Sequence, residues 1–196
     1  NDPRPMRAAF VVRDNLKQRR TIERAYIEAI RGARQRVDLV SPYFYPGRAF
    51  RRALRHAAQR GVQVRVLLQG KVDYRMAALA AQALYDEMLA HGIRIFEYTP
   101  AFLHAKVAVV DDDWATVGSS NIDPLSLLVN LEGNVIVRDA GFVAGLTDEI
   151  DQAVALSREV TRENLGLPAW RRLLRRGLVA WMARLFMRVA GATGRY

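Results

Sequence analysis

Three short apolar runs set off by polar turns fill residues 102–139, FLHAKVAVVDDDWATVGSSNIDPLSLLVNLEGNVIVRD. Val107–Val110 is short and mostly β-branched and is closed by Asp111-Asp112-Asp113, which reads as a buried strand ending in a turn. Trp114–Val117 returns as a second strand to Gly118-Ser119-Ser120-Asn121, and Asn134–Val137 gives a third, directly after Glu132. His104 and Lys106 are two apart, so on an extended chain both leave the same face. One His, one Lys, one Ser, one Asn and one Glu are therefore expected to converge at the edge of a single sheet. Such a set has chemical sense. A cation and two neutral donors hold an anion, an imidazole reacts, and a carboxylate orients it.

Composition narrows the chemistry. The 196 residues suffice for one domain with a substantial core, or one domain with an appendage. Cysteine is absent, which rules out a disulfide framework and a thiolate metal site. The three histidines, His56, His91 and His104, do not stand at ligand spacing, so neither a catalytic metal nor another cofactor is expected. The first residue is Asn and no apolar leader follows it, which reads as a piece of a longer chain or a processed form.

The net charge of +10 is unevenly placed. From Leu165 to Tyr196 there are seven arginines and no acidic residue, which leaves 23 basic against 20 acidic residues elsewhere. A nucleic-acid groove would be basic around the chemistry. Here the excess lies at the end of the chain, which fits an anionic membrane surface better than nucleic acid. Over Leu178–Val189, Arg184 and Arg188 share one side of a helix and most large apolar groups share the other. That stretch is too short and too charged to span a bilayer but suits an interfacial helix. A helix docked on protein is the alternative.

Taken in order, Met6–Val12 reads as a strand and Lys17–Ala33 as an amphipathic helix, with Ile22, Ala25, Tyr26, Ala29 and Ile30 at helical spacing. Val37–Val40 is a strand, Arg48–Gln59 a helix closed by Gly61, and Val62–Leu68 a strand. Tyr74–Leu89 reads as a helix, Ile93–Tyr98 as a strand, and Ala140–Val160 as a closing helix. The alternation predicts an α/β sandwich with a mixed, mostly parallel β-sheet flanked by helices, over residues 1–165. Residues 166–196 form a basic amphipathic tail. Tyr43, in the loop Tyr43-Phe44-Tyr45-Pro46 after a strand, is a candidate substrate contact or a rim-packing residue. Arg75, after Gly70-Lys71-Val72-Asp73-Tyr74, is a candidate head-group contact or part of a polar helix entry.

The spacing His-x-Lys-x4-Asp-x6-Gly-Ser-x-Asn, carried by His104, Lys106, Asp111, Gly118, Ser119 and Asn121, resembles the signature of the phospholipase D superfamily. Glu132 stands where that family carries a histidine-orienting glutamate. Val12-Arg13-Asp14-Asn15, Ala101–Lys106 and Trp114–Glu132 are similar to bacterial cardiolipin synthases of the B type. Leu125-Ser126, where many cardiolipin synthases read Arg-Ser, points to the same branch. Family members carry two such motifs and this sequence carries one, so it looks like a C-terminal half.

The resemblance implies a phospholipase D-like fold and a phosphatidyltransferase that exchanges the alcohol of a phospholipid phosphodiester through a phosphohistidine. Lys106, Ser119 and Asn121 would hold the non-bridging oxygens, an effect worth about 3–4 kcal/mol per donor. Glu132 would orient an imidazole, and Asp111 is expected to brace its loop rather than react. His104 would be the general acid/base, with the nucleophile on an N-terminal half or a second copy. The implied partners are phospholipids, phosphatidylglycerol foremost, and an anionic membrane. The implied location is the cytoplasmic side of the bacterial inner membrane, peripherally bound. Two other readings fit a single motif: a homodimeric phospholipase D-like nuclease, and a catalytically incomplete membrane-binding half.

Overall fold

The computed structural model describes residues 6–13, 20–70, 84–123 and 131–163. Eight strands form one sheet: β1 Arg7–Arg13, β2 Arg36–Ser41, β3 Gln63–Gln69, β4 Arg94–Tyr98, β5 Val107–Val110, β6 Trp114–Gly118, β7 Glu132–Arg138 and β8 Ser157–Val160, in the order β1-β7-β6-β5-β2-β3-β4-β8. Helices α1 Thr21–Gly32 and α2 Arg48–Gln59 cover one face, and α3 Ala140–Ala155 packs on the other. Residues 84–89 are also helical.

The sequence order explains this topology. β2, β3 and β4 are separated by long crossovers and pair in parallel. β5 and β6 are joined by the three-residue turn 111–113, a connection that permits only an antiparallel pair, and β7 pairs antiparallel with β6 across the longer 119–131 connection. The sheet is mixed, as expected, but not mostly parallel. Two of its seven pairings are parallel and five antiparallel, because β1, β5 and β8 also join antiparallel.

The main core lies between the sheet and α1/α2, where Ile22, Ile30, Val37, Phe50, Leu54, Val64, Val66 and Ile95 are buried. Each such side chain stabilises the fold by about 1.5–3 kcal/mol through removal from water. A smaller core of Val40, Leu67, Phe96, Val109, Val143 and Ile150 seats α3. On that face the buried Asp38 carboxylate accepts from Arg65 Nε at 2.6 Å and Arg36 Nε at 3.0 Å, and Arg65 also reaches Asp151 of α3. The four charged side chains tie the helix to the sheet.

The last expected helix is two elements. Asp139 caps α3 by accepting from the Phe142 N–H at 2.7 Å, but the helix stops at Ala155 and residues 157–160 become β8. The sequence SREV continues a helix acceptably. The outer edge of β4 decides otherwise, since its backbone groups gain partners along the Ile95–Tyr98 register. Arg94 reinforces the choice with a paired contact to Glu159, at 2.8 and 2.9 Å.

Candidate active site

The strand directions bring one end of the sheet together. There β1, β2 and β6 finish while β5 and β7 begin, so Arg13, Ser41, Lys106, Gly118 and Glu132 share an edge. The loop after β6 lies on the loop after β2. Phe44 and Ile122 form a β-bridge, and the Tyr45 N–H donates to the Ile122 carbonyl at 2.7 Å. Ser41 Oγ donates to the Tyr43 carbonyl at 2.7 Å and accepts from the Ile122 N–H at 3.4 Å. Tyr43 is thus half-buried in a loop that borders the 119–123 segment.

Lys106 is 7% exposed, and its Nζ donates to the His104 carbonyl at 2.7 Å. Desolvation lowers its pKa from the usual lysine value, and the nearby Glu132 carboxylate partly offsets that. The same lysine's carbonyl accepts from the Gly118 N–H at 3.1 Å, which locks the strand carrying His104 to the loop carrying Ser119. His104 itself is exposed, and its imidazole makes no hydrogen bond to a described residue. A reacting group needs that access.

Ser119 Oγ donates to Glu132 Oε2 and accepts from the Gly133 N–H at 3.1 Å, while the Ser119 N–H donates to the Gly133 carbonyl at 3.0 Å. Its single hydroxyl proton is therefore committed to Glu132. In this arrangement Ser119 fixes the carboxylate and the loop, rather than offering a free donor. Two residues on, Asn121 Oδ1 and the adjacent Ser120 Oγ are buried with no hydrogen-bond partner among the described residues.

Asp111 is not with this group. It ends β5 at the opposite side of the sheet, about 16 Å from Lys106 at 3.3 Å per residue. Its carboxylate accepts from the backbone N–H groups of Arg34, Gln35 and Arg36 at 3.0, 2.8 and 3.1 Å. The residue has φ 51°, a left-handed conformation that aspartate tolerates better than most. These hydrogen bonds tie Asp111 to the turn between α1 and β2. Arg75 lies outside the described residues, and so does the 166–196 tail.

Sequence reasoning missed a polar layer behind the site. On the α1 side of the sheet Arg13, Thr116 and Asn134 are each 1% exposed. Asn134 Nδ2 donates to Thr116 Oγ1 at 3.2 Å, and Thr116 Oγ1 donates to the Val135 carbonyl at 2.9 Å. The Tyr26 hydroxyl of α1 bonds Asn134, although burial still raises its pKa well above the usual tyrosine range. A methyl on Gly118 would sit 2.3 Å from Asn134 Oδ1, so glycine is required there by close approach rather than by backbone angle. The available signal was a polar residue at an inward position of an apolar strand.

Among the described residues no group of three His, Asp or Glu side chains is placed to hold a metal ion, and no helix is long and apolar enough to cross a membrane. The site supplies an imidazole, a buried ammonium and a braced carboxylate at a sheet end, a set suited to an anionic ester.

Known proteins share the fold of this chain. The family model described as "Cardiolipin synthase, PLD-like domain" matches residues 26–154. Cardiolipin synthase B of Escherichia coli is 40% identical over 190 residues, covering 96% of this chain and 46% of the relative. The chain thus spans about half the length of the curated relatives it matches. Among solved structures, the phospholipase D family member Nuc from Salmonella typhimurium superposes with TM-score 0.67 at 18% identity, covering 80% of this chain and 99% of Nuc. Phosphatidylserine synthase from Haemophilus influenzae superposes with TM-score 0.70 at 13% identity, covering 94% of this chain and 46% of that one. At such identities the two structures speak for the fold.

Proposed function

The chain belongs to the family of the cardiolipin synthase PLD-like domain, and on that premise we propose that it is one catalytic half of a phosphatidyltransferase of cardiolipin synthase type. The observation that carries the reading is the joining of Lys106, Ser119 and Glu132 beside an exposed His104. In the proposed cycle an imidazole nitrogen on the other half attacks phosphorus, and the bond from phosphorus to the departing alcohol breaks. His104, as imidazolium, gives that alcohol its proton. The incoming alcohol returns a proton to His104 and displaces the first imidazole. One ester replaces another, so no nucleotide is consumed. Lys106 and the Asn121 amide hold the non-bridging oxygens as charge accumulates.

A single described histidine at the site serves one of the two roles, so the nucleophile comes from a partner half. The outer face of the sheet supports such pairing. Phe10, Val135 and Val117 lie side by side across β1, β7 and β6, and are 71%, 38% and 39% exposed. The partner is an N-terminal half of the same fold or a second copy of this chain. The substrates are phospholipids, with phosphatidylglycerol the candidate donor, and the basic tail at 166–196 would hold the protein on the cytoplasmic face of a bacterial inner membrane.

The test is lipid turnover on phosphatidylglycerol vesicles, with this chain alone and with it joined to an N-terminal half. Cardiolipin formed only by the joined protein, and lost by at least about a thousandfold in His104→Ala, is the expected result. Turnover by a proven monomer would refute the two-half reading. Cleavage of DNA without lipid turnover would refute the transferase reading in favour of a nuclease.

A further inference from the structure

Three large apolar side chains stand exposed off the same end of the sheet that carries His104. Leu131 precedes β7 and is 77% exposed, Phe102 lies between β4 and β5 and is 67% exposed, and Leu156 precedes β8 and is 62% exposed. The registers bring these points to one end, where β2, β3 and β4 finish and β5, β7 and β8 begin. Six strand steps separate β7 from β8, so at about 4.8 Å per step that end is about 29 Å wide. A single small ligand does not cover apolar groups set so far apart, whereas a broad surface meets them all. Residues 98–105, YTPAFLHA, carry no acidic side chain and no basic one but His104, and Leu103 anchors the stretch on the α3-side core. Exposed cations stand at the same end. Arg20 and Arg24 lie at the start of α1 and Arg48 at the start of α2, helices that follow β1 and β2 where those strands end. α2 has no acidic residue in its first turn, so an anion brought to Arg48 also meets the positive end of the helix dipole.

We propose that this end of the sheet rests on a bilayer containing anionic phospholipid, with Phe102, Leu131 and Leu156 entering the interfacial layer and Arg20, Arg24 and Arg48 meeting the head groups. Membrane contact then belongs to the catalytic body itself and not to the basic tail alone. A phospholipid keeps its phosphodiester at head-group level and its chains in the hydrocarbon, and withdrawing the whole molecule would wet every methylene. A site that comes down to the bilayer reaches the diester without that cost. His104 is exposed two residues from Phe102, so seating the 98–105 stretch brings the imidazole to the level of the diester. That a lipid is the occupant rests on the phospholipid reading given above; the exposed apolar end itself does not.

The chain has no cysteine, so an introduced one carries a polarity-sensitive dye at a single place. Phe102→Cys, Leu131→Cys and Leu156→Cys are labelled one at a time in the whole chain, with Asp112→Cys, exposed at the far end of the sheet, as the reference. On vesicles of mixed phosphatidylglycerol and phosphatidylcholine the first three dyes should shift to the blue and the fourth should not. In vesicle sedimentation the triple variant Phe102→Ser/Leu131→Ser/Leu156→Ser should bind about tenfold more weakly or worse. Three dyes that stay in water while the chain is vesicle-bound, or a triple variant of unchanged affinity, would overturn the proposal and leave the tail as the whole attachment. So would a blue shift of all three on joining the N-terminal half without vesicles, since protein would then cover that end. Neither readout requires turnover. A failed transferase assay leaves the lipid contact standing, and unshifted dyes on a protein that turns lipid over leave the transferase reading standing.

Discussion

Asp111 belongs to the sequence motif, yet the structure gives it a mechanical task, and substitution can separate the two roles. Asp111→Ala removes an acceptor that serves three backbone N–H groups at 2.8–3.1 Å. Hydrogen bonds to a charged group contribute about 1.5–3 kcal/mol, and here water can reach the N–H groups of Arg34 and Gln35, so the lower figure applies. The backbone at φ 51° adds about 1–2 kcal/mol when alanine must adopt it. The combined destabilisation is about 3 kcal/mol, which lowers the melting temperature of a domain this size by about 6–12 °C. Asn keeps one acceptor oxygen and tolerates the left-handed conformation, so Asp111→Asn should lose only about 1 kcal/mol. Scanning calorimetry on the two variants tests the ranking, and lipid turnover at a temperature where both stay folded tests the role. Near-normal turnover from folded Asp111→Asn is expected. A loss of about a thousandfold with an unchanged melting temperature would mean that the residue reacts, and the bracing argument would be wrong.

Other outcomes follow from the same site. Gly118→Ala should disturb the site more than its size suggests, because the added methyl meets Asn134 Oδ1 at 2.3 Å and that amide is held by Thr116. We expect a loss of about 2–3 kcal/mol in denaturant unfolding, and a loss under 0.5 kcal/mol would show that the polar layer yields easily. Lys106 has a folded-state pKa below its usual 10.5, so its buried charge opposes folding at neutral pH. That penalty is relieved as pH rises from the lowered value towards 10.5, where the unfolded chain holds the extra proton. Wild-type stability should therefore climb relative to Lys106→Met across that alkaline window. Parallel stability curves for the two proteins would refute the desolvation account.

Much of this arrangement was legible in local pattern. The runs at 107–110, 114–117 and 134–137 became β5, β6 and the centre of β7, and the spacing of Lys106, Ser119 and Glu132 led to their meeting. Helix α2 matched its expected limits because Gly47 and Gly61 punctuate both ends. What stayed hidden depends on contacts distant in sequence. Residues 157–160 have no strand pattern of their own and become β8 only because β4 offers an unpaired edge. Sheet polarity depends on pairings such as β1 with β7, more than a hundred residues apart, and the same register buries Arg13 at the sheet end. The Ser119 hydroxyl was expected to serve the substrate, and its preference for Glu132 arises from the β6–β7 turnback, which no local spacing records.

At their site end β6 and β7 run against the usual rule, which sets apolar residues inward and polar residues outward, although farther along Trp114 and Ile136 pack into the main core and Ala115 and Val137 are buried on the α3 side. Here Thr116 and Asn134 face inward and are buried, with Arg13 beside them on β1, while Val117, Val135 and Phe10 face outward and are exposed. For a body that works alone this inversion costs stability twice, through desolvated polar groups within and wetted apolar groups without. Each half of the inversion has a separate physical use. The inner polar layer gives Glu132 and the 118–121 loop a rigid backing, which the donors of an anion site need in order to remain aimed before the ligand arrives. The outer apolar row has no such use unless another body covers it. Phe10 already lies over Gly133, its ring 2.9 Å from where a Cβ would be. A partner seated on that row would be brought close to the sheet end that carries His104.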